Sequence, residues 1–90
     1  MTLRNSKKEA AALSYTPQED KAPKVVASGE GFVAQNIIKL AREANVPIVE
    51  DVALISALMT LELGEEIPVE LYEAVAQVLA FLYQLDKGDG

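Results

Sequence analysis

Ninety residues, half of them hydrophobic, suffice for one small domain and not for two. With no cysteine there are no disulfides, thiol chemistry or cysteine metal sites, and with no histidine the commonest general base and metal ligand is gone. The net charge of −6 is uneven: residues 1–45 carry seven Lys/Arg against five Asp/Glu, while residues 46–90 set Lys87 against nine acids, which argues against nucleic-acid binding and against an anionic membrane surface.

The first eight or nine residues are polar and predict a flexible N-terminal segment, 1–9, ahead of a single domain over 10–86. Residues 10–16, AAALSYT, predict a short strand. TPQEDKAP follows as a loop, with proline near each end and charges between. KVVA at 24–27 is β-branched and reads as a strand, which SGEG at 28–31 breaks. Residues 32–44 predict a helix whose apolar face is Val33, Ile37, Leu40, Ala41 and Ala44. Asn45 is placed to end it in a left-handed conformation.

VPIVE at 46–50 is a second β-branched run, and Pro47 requires the strand to begin at Ile48 or to lie at an edge. Asp51 suits the N-cap of a helix over 52–63, which Gly64 would stop. Pro68 fits the first position of a last helix running to about Leu85, with Glu70 and Glu73 favoured near its N-terminus. Its apolar stripe is read as Val69, Tyr72, Val75, Ala76, Leu79, Leu82 and Tyr83. Residues 87–90 are a frayed end. The expected fold class is α/β: a small mixed sheet of two to four short strands packed by three helices. KVVA, the 32–44 helix and PIV form one strand–helix–strand unit with parallel strands. Val25, Ile37, Leu40, Ile48, Leu58, Val75 and Leu79 are assigned to the core.

No motif for catalysis stands out. SGEG opens a helix after a strand but lacks the lysine and spacing of a phosphate loop, so a tight turn explains it. The acid pairs Glu50/Asp51, Glu65/Glu66 and Glu70/Glu73 would need a cleft to shift their pKa values, and helix N-termini already account for Asp51, Glu70 and Glu73. They lack the alternating spacing of a calcium loop. Ser14, Ser28 and Ser56 have no histidine to activate them. Tyr72, Phe81 and Tyr83 read as core, not as a base-stacking platform. No stretch approaches the ~20 apolar residues of a membrane span, and no signal peptide opens the chain. The expectation is a soluble cytoplasmic binding or assembly module, not an enzyme, with no metal and no cofactor.

Three runs together resemble one family: APKVVASGEGF, IIKLAREANVPIVED and LELGEEIPVELYEAVAQVLAFLY. They are similar to the cytoplasmic C-terminal domain of the FlhB family, the export-gate switch protein of flagellar and related type III secretion systems. The match covers about residues 13–85, through residues 22–26, Ser28 and Gly29, residues 45–49, 64–68, Leu71 and Tyr72, and 74–76.

The resemblance implies that full-length members carry membrane spans ahead of this domain. They also carry an Asn-Pro-Thr-His site where the chain cleaves itself after Asn, by cyclisation of that side chain onto its own carbonyl. The two pieces stay associated. Counting back from Leu13 places Asn5, Ser6, Lys7 and Lys8 at that site, so Asn5 is carried over without its Pro-Thr-His context and is predicted inactive. The strand before the site is absent or reduced to residues 1–4, and its absence would leave a sheet edge open to self-pairing. Many members carry a basic residue where Ser56 stands and an aromatic one where Met59 stands.

The reading is therefore an FlhB-like cytoplasmic module of the flagellar or type III export apparatus, peripheral to the inner-membrane export gate, binding export components or substrates and lacking the autocleavage motif. The alternative is a soluble regulator or adaptor that kept the fold outside the export machine. The expected interaction surface comprises Asn5, Ser6, Lys7, Lys8, Lys21, Ala22, Pro23, Lys24 and Ser56. Partners are export-apparatus proteins or export substrates, with no nucleic acid and no direct membrane insertion.

Overall fold

The computed structural model describes residues 1–5 and 8–88. In chain order the elements are β1 (Thr2–Arg4), β2 (Glu9–Ser14), β3 (Lys24–Glu30), α1 (Phe32–Glu43), β4 (Ile48–Glu50), α2 (Val52–Leu58), a single 3₁₀ turn (Val69–Leu71) and α3 (Tyr72–Gly88). One four-stranded sheet has the order β3-β2-β1-β4. The mixed α/β class is as expected: β1 is antiparallel to β2, β2 to β3, and β4 is parallel to β1.

Composition predicts no order at β1, which the resemblance allowed as a strand reduced to residues 1–4. Residues 2–4 were placed in a flexible segment, yet Leu3 is 0% exposed and the strand lies in the middle of the sheet. The tripeptide is held on both sides. Leu3 faces Ala11 on one flank and Val49 on the other. Leu13 N–H donates to the Met1 carbonyl at 2.7 Å, and Thr2 N–H donates to the Pro47 carbonyl at 3.0 Å. Local composition cannot reveal such a strand, because its stability comes from partners 8 and 46 residues away. The predicted open edge at this position does not exist. β3 and β4 run in the same direction as predicted, but β1 and β2 lie between them.

Successive residues of a strand face opposite sides, and Ala10 and Ala11 divide the core accordingly. Ala10 packs with Ala34 and Ile38 of α1, against which Ile37 and Ile48 are half-buried. Ala11 faces the main core of Leu3, Leu13, Val25, Leu54, Ile55, Leu58, Ile67 and Val75, contributed largely by α2, α3 and the sheet. Each fully buried Leu, Ile or Val there contributes roughly 1.5–3 kcal/mol relative to an exposed one. One helix covers one face of the sheet, and α2 and α3 cover the other.

The helix ends follow local chemistry. Asp51 caps α2 by accepting from Leu54 N–H at 2.9 Å. Asn45 is left-handed at φ 57, and the paired bonds Val46 N–H to Ala41 O and Asn45 N–H to Arg42 O make a Schellman stop for α1. α2 ends at Leu58, earlier than the predicted 63, because Leu61 N–H bonds three residues back to Leu58 and the Thr60 hydroxyl caps the Ala57 carbonyl at 2.8 Å. Gly64 does not stop that helix. At φ 84 it aims its N–H at the Val25 carbonyl, 2.7 Å away, and ties the loop to β3. Pro68 precedes the 3₁₀ turn instead of opening an α-helix.

Candidate docking groove

The loop between β2 and β3 is built like a clamp. Asp20 Oδ2 accepts from Thr16 N–H at 3.0 Å, and Asp20 Oδ1 meets Lys24 Nζ at 2.9 Å. That hydrogen-bonded ion pair holds the Asp20 carboxyl below its usual pKa, with the Thr16 N–H adding to the effect, and raises that of the Lys24 ammonium. The end of the loop is stitched to the segment before α3. Val25 N–H donates to Glu65 O at 3.0 Å, and Ile67 N–H to Pro23 O at 2.9 Å. The Glu66 carboxylate accepts from Lys21 N–H at 3.3 Å.

This stitching sets Ala22 and Pro23 opposite α3. Ala22 is buried, Pro23 half-buried, and between them and the helix lies an open apolar groove of about 220 Å³. Tyr15 and Ile67 line it, and Tyr72, Ala76 and Leu79 of α3 form its far wall. Lys21 is the one charged residue in that lining.

The helix faces explain why the groove exists. Leu79 was assigned to the core but is 36% exposed, and Tyr72 is 43% exposed. α3 turns Val75 into the core, with Leu71 and Val78 packed beside it. Part of the predicted stripe therefore faces the groove; the side chain of Tyr83 lies outside the described residues. α1 is offset in the same way. It buries Ala34, Ile38 and Ala41, leaving Leu40, also assigned to the core, 63% exposed and Val33 half out. Small residues at 34 and 41 let the helix lie close to the sheet, so the larger ones fall to its flank. Sequence reasoning missed Tyr72, Ala76 and Leu79 as groove residues. The available signal was an apolar arc wider than one packing face requires.

The predicted surface residues do not form one patch. Lys21, Ala22 and Pro23 line the groove, and Lys24, next in sequence, pairs with Asp20. Asn5 and Lys8 sit at the other end of β2, about 20 Å away for a six-residue strand. Asn5 is no surface group: it is 6% exposed. Its Oδ1 accepts from Glu9 N–H at 3.1 Å and its Nδ2 donates to the Glu9 carboxylate. Its backbone carbonyl accepts from Lys8 N–H at 3.2 Å, with Lys8 left-handed at φ 66. Ser6 and Lys7 lie outside the described residues. Ser56 is exposed on α2, away from the groove lining.

The acid pairs Glu50/Asp51 and Glu65/Glu66 have structural partners. Asp51 caps α2, Glu50 lies 3.6 Å from Arg4, and Glu65 accepts from Glu62 N–H at 2.9 Å. Among the described residues no three carboxylates gather as a metal site would require. Among the described residues no helix is long and apolar enough to cross a membrane.

The family model described as the FlhB HrpN YscU SpaS family matches residues 2–82. The chain belongs to this family. It is 49% identical over 80 residues to the uncharacterized Bacillus subtilis protein YlqH, covering 89% of this chain and 86% of that one. It is 46% identical over 79 residues to the flagellar biosynthetic protein FlhB of Escherichia coli, covering 87% of this chain but only 21% of that protein. The fold matches the crystal structure of the cytoplasmic domain of FlhB from Shewanella putrefaciens, with a TM-score of 0.86 at 38% identity, over 92% of this chain and 69% of that one. An EscU C-terminal domain carrying an Asn-to-Asp substitution matches with a TM-score of 0.86 at 30% identity, over 89% of this chain and 74% of that one. The chain thus has the fold of an FlhB-type cytoplasmic domain and spans about a fifth of the FlhB relatives' length.

Proposed function

We propose that this FlhB-like chain works as a docking module of the flagellar or type III export apparatus, holding an apolar segment of an export component or export substrate between Ala22, Pro23 and α3. The observation that carries this reading is the groove. Its loop is fixed by the Asp20–Lys24 pair and by the hydrogen bonds to residues 65–67, while apolar Tyr72 and Leu79 stay exposed along its far wall. Preformed apolar clefts with few polar groups suit recognition of apolar segments. The proposed station is peripheral, at the inner-membrane export gate.

The same reading holds that the chain does not cut itself. Cyclisation would need Asn5 Nδ2 to attack the Asn5 carbonyl carbon, and here the Nδ2 amide donates to the Glu9 carboxylate while Oδ1 accepts from Glu9 N–H, which holds the side chain on Glu9. The experiment is co-purification of the tagged chain from flagellated cells, with Ala76→Glu as the control that fills the groove with a charge. Recovery of an export-gate subunit or export substrate by the wild type and not by Ala76→Glu is the expected result. Recovery of unrelated partners alone would favour an adaptor outside the export machine and overturn the proposal.

A further inference from the structure

The groove beside α3 does not end there. Tyr15, Pro23 and Leu79 also line a second depression of about 210 Å³, which continues past Ser14 to Leu13 and Met1. Leu13 and Met1 in turn line a third of about 290 Å³, bounded by Val26 of β3, by Ile37 and Leu40 of α1, and by Val46. The first lies on the α2/α3 face of the sheet and the third on the α1 face. The irregularity in β2 between Ala12 and Leu13 sits at the crossing point.

From this continuity we infer that the docking site is bipartite: one extended segment of a partner polypeptide runs from α3 round the end of the sheet to α1, placing one apolar side chain beside Ala76 and another beside Leu40. The inference rests on the docking reading above and extends it. Three observations choose the occupant. A track that turns from one face of a sheet to the other cannot seat a straight helix about 10 Å wide along its length, whereas an extended strand, rising about 3.3 Å per residue, follows it. Among the described residues Lys21 is the one charged side chain lining any of the three depressions, and no carboxylate lines them, in a chain of net charge −6. The segment therefore carries an acidic residue near its first anchor. A second copy of this chain would set another charge of −6 against the first, and an anionic lipid surface would be repelled in the same way.

The test is a selection of random 16-residue displayed peptides on the intact chain, followed by fluorescence polarisation with the enriched peptides and their halves. Ala76→Glu and Leu40→Glu block the two ends at exposed positions, and Lys21→Glu reverses the rim charge. Expected are peptides with two apolar anchors and an acid near the first. Each blocking variant should weaken the full peptide about tenfold, and Leu40→Glu should leave the first half-peptide unaffected. Peptides that Ala76→Glu abolishes and Leu40→Glu does not touch would overturn the bipartite site while sparing the groove at α3. No enrichment, or binding indifferent to both variants, would overturn both readings. Self-association lost in Leu40→Glu would overturn the peptide in favour of a second copy.

Discussion

The backbone N–H of Glu9 donates to Oδ1 of Asn5 at 3.1 Å, and the Glu9 carboxylate accepts from Nδ2 of the same side chain. One residue therefore holds both ends of a carboxamide buried at the β1–β2 turn. Asn5 is kept where relatives of this family are expected to react, but its nitrogen is committed elsewhere. Mass spectrometry of the purified chain should find it intact, without a product beginning at Ser6. Glu9→Ala removes the acceptor and should cost on the order of 1 kcal/mol. It should also speed conversion of Asn5 to aspartate, through ammonia loss from the freed side chain, and still give no cleavage. A fragment starting at Ser6 in either protein would contradict this account of the turn.

The offset of α1 gives a paired prediction. Ile38 is packed against Ala10 and Ala34, so Ile38→Ala should destabilise by roughly 2–4 kcal/mol in urea unfolding. Leu40→Ser, one of the residues assigned to the core from sequence, should change stability by no more than about 0.5 kcal/mol, as exposed substitutions usually do. Equal losses at the two positions would mean that the helix is turned toward Leu40 instead.

Gly29 and Val33 are in contact where α1 leans on β3. A Cβ added at Gly29 would stand 2.6 Å from the Cβ of Val33, which is fixed to the helix backbone. Gly29→Ala should therefore cost about 1–3 kcal/mol as overpacking. Trimming Val33 to alanine in the same chain should restore only part of that, since its Cβ remains. Denaturant midpoints of the three variants would check the ordering.

The Asp20–Lys24 pair predicts a pH profile for the loop that walls the groove. Asp20 titrates below its usual range, so its contribution is present above the unfolded value and fades as pH falls through the folded one. Lys24 titrates above its usual range, so its share is present below the unfolded value and fades only in strong alkali. The loop should be equally firm across neutral pH and loosen in acid. In an NMR titration, Lys24→Met should return the Asp20 carboxyl toward its usual range, and 1 M salt should do part of the same.

How much of this was legible in the sequence depends on where the stabilising partner lies. KVVA, Asn45 and the Asp51 cap were readable because each acts within a few residues of itself. β3 ran on through Gly29 to Glu30, past the expected break, because β2 pairs with it through Glu9. β1 was not legible from composition, since Thr2, Leu3 and Arg4 have no local reason to be extended, and the resemblance alone allowed a strand reduced to residues 1–4. The groove was half legible. Ala22 and Pro23 are picked out by resemblance, but Tyr72 and Leu79 read as core and Ala76 as part of the same apolar stripe, since periodicity gives the width of an apolar arc and not which part of it is covered. Asn5 was recognised for its chemistry and misplaced on the surface, because the Glu9 carboxylate that shields it has no motif.

The central place of β1 makes the molecule a natural candidate for fragment complementation. Five residues, 1–5, end at the β1–β2 turn, and their hydrogen bonds to β2 and β4 do not depend on the peptide link at that turn. Were the link opened there, a slot one strand wide would remain between β2 and β4, and a short peptide of matching pattern could refill it. Two copies with the link intact could also trade β1 through that slot. The link between Asn5 and Lys8 is thus the point at which one chain becomes divisible into a strand and its receptacle.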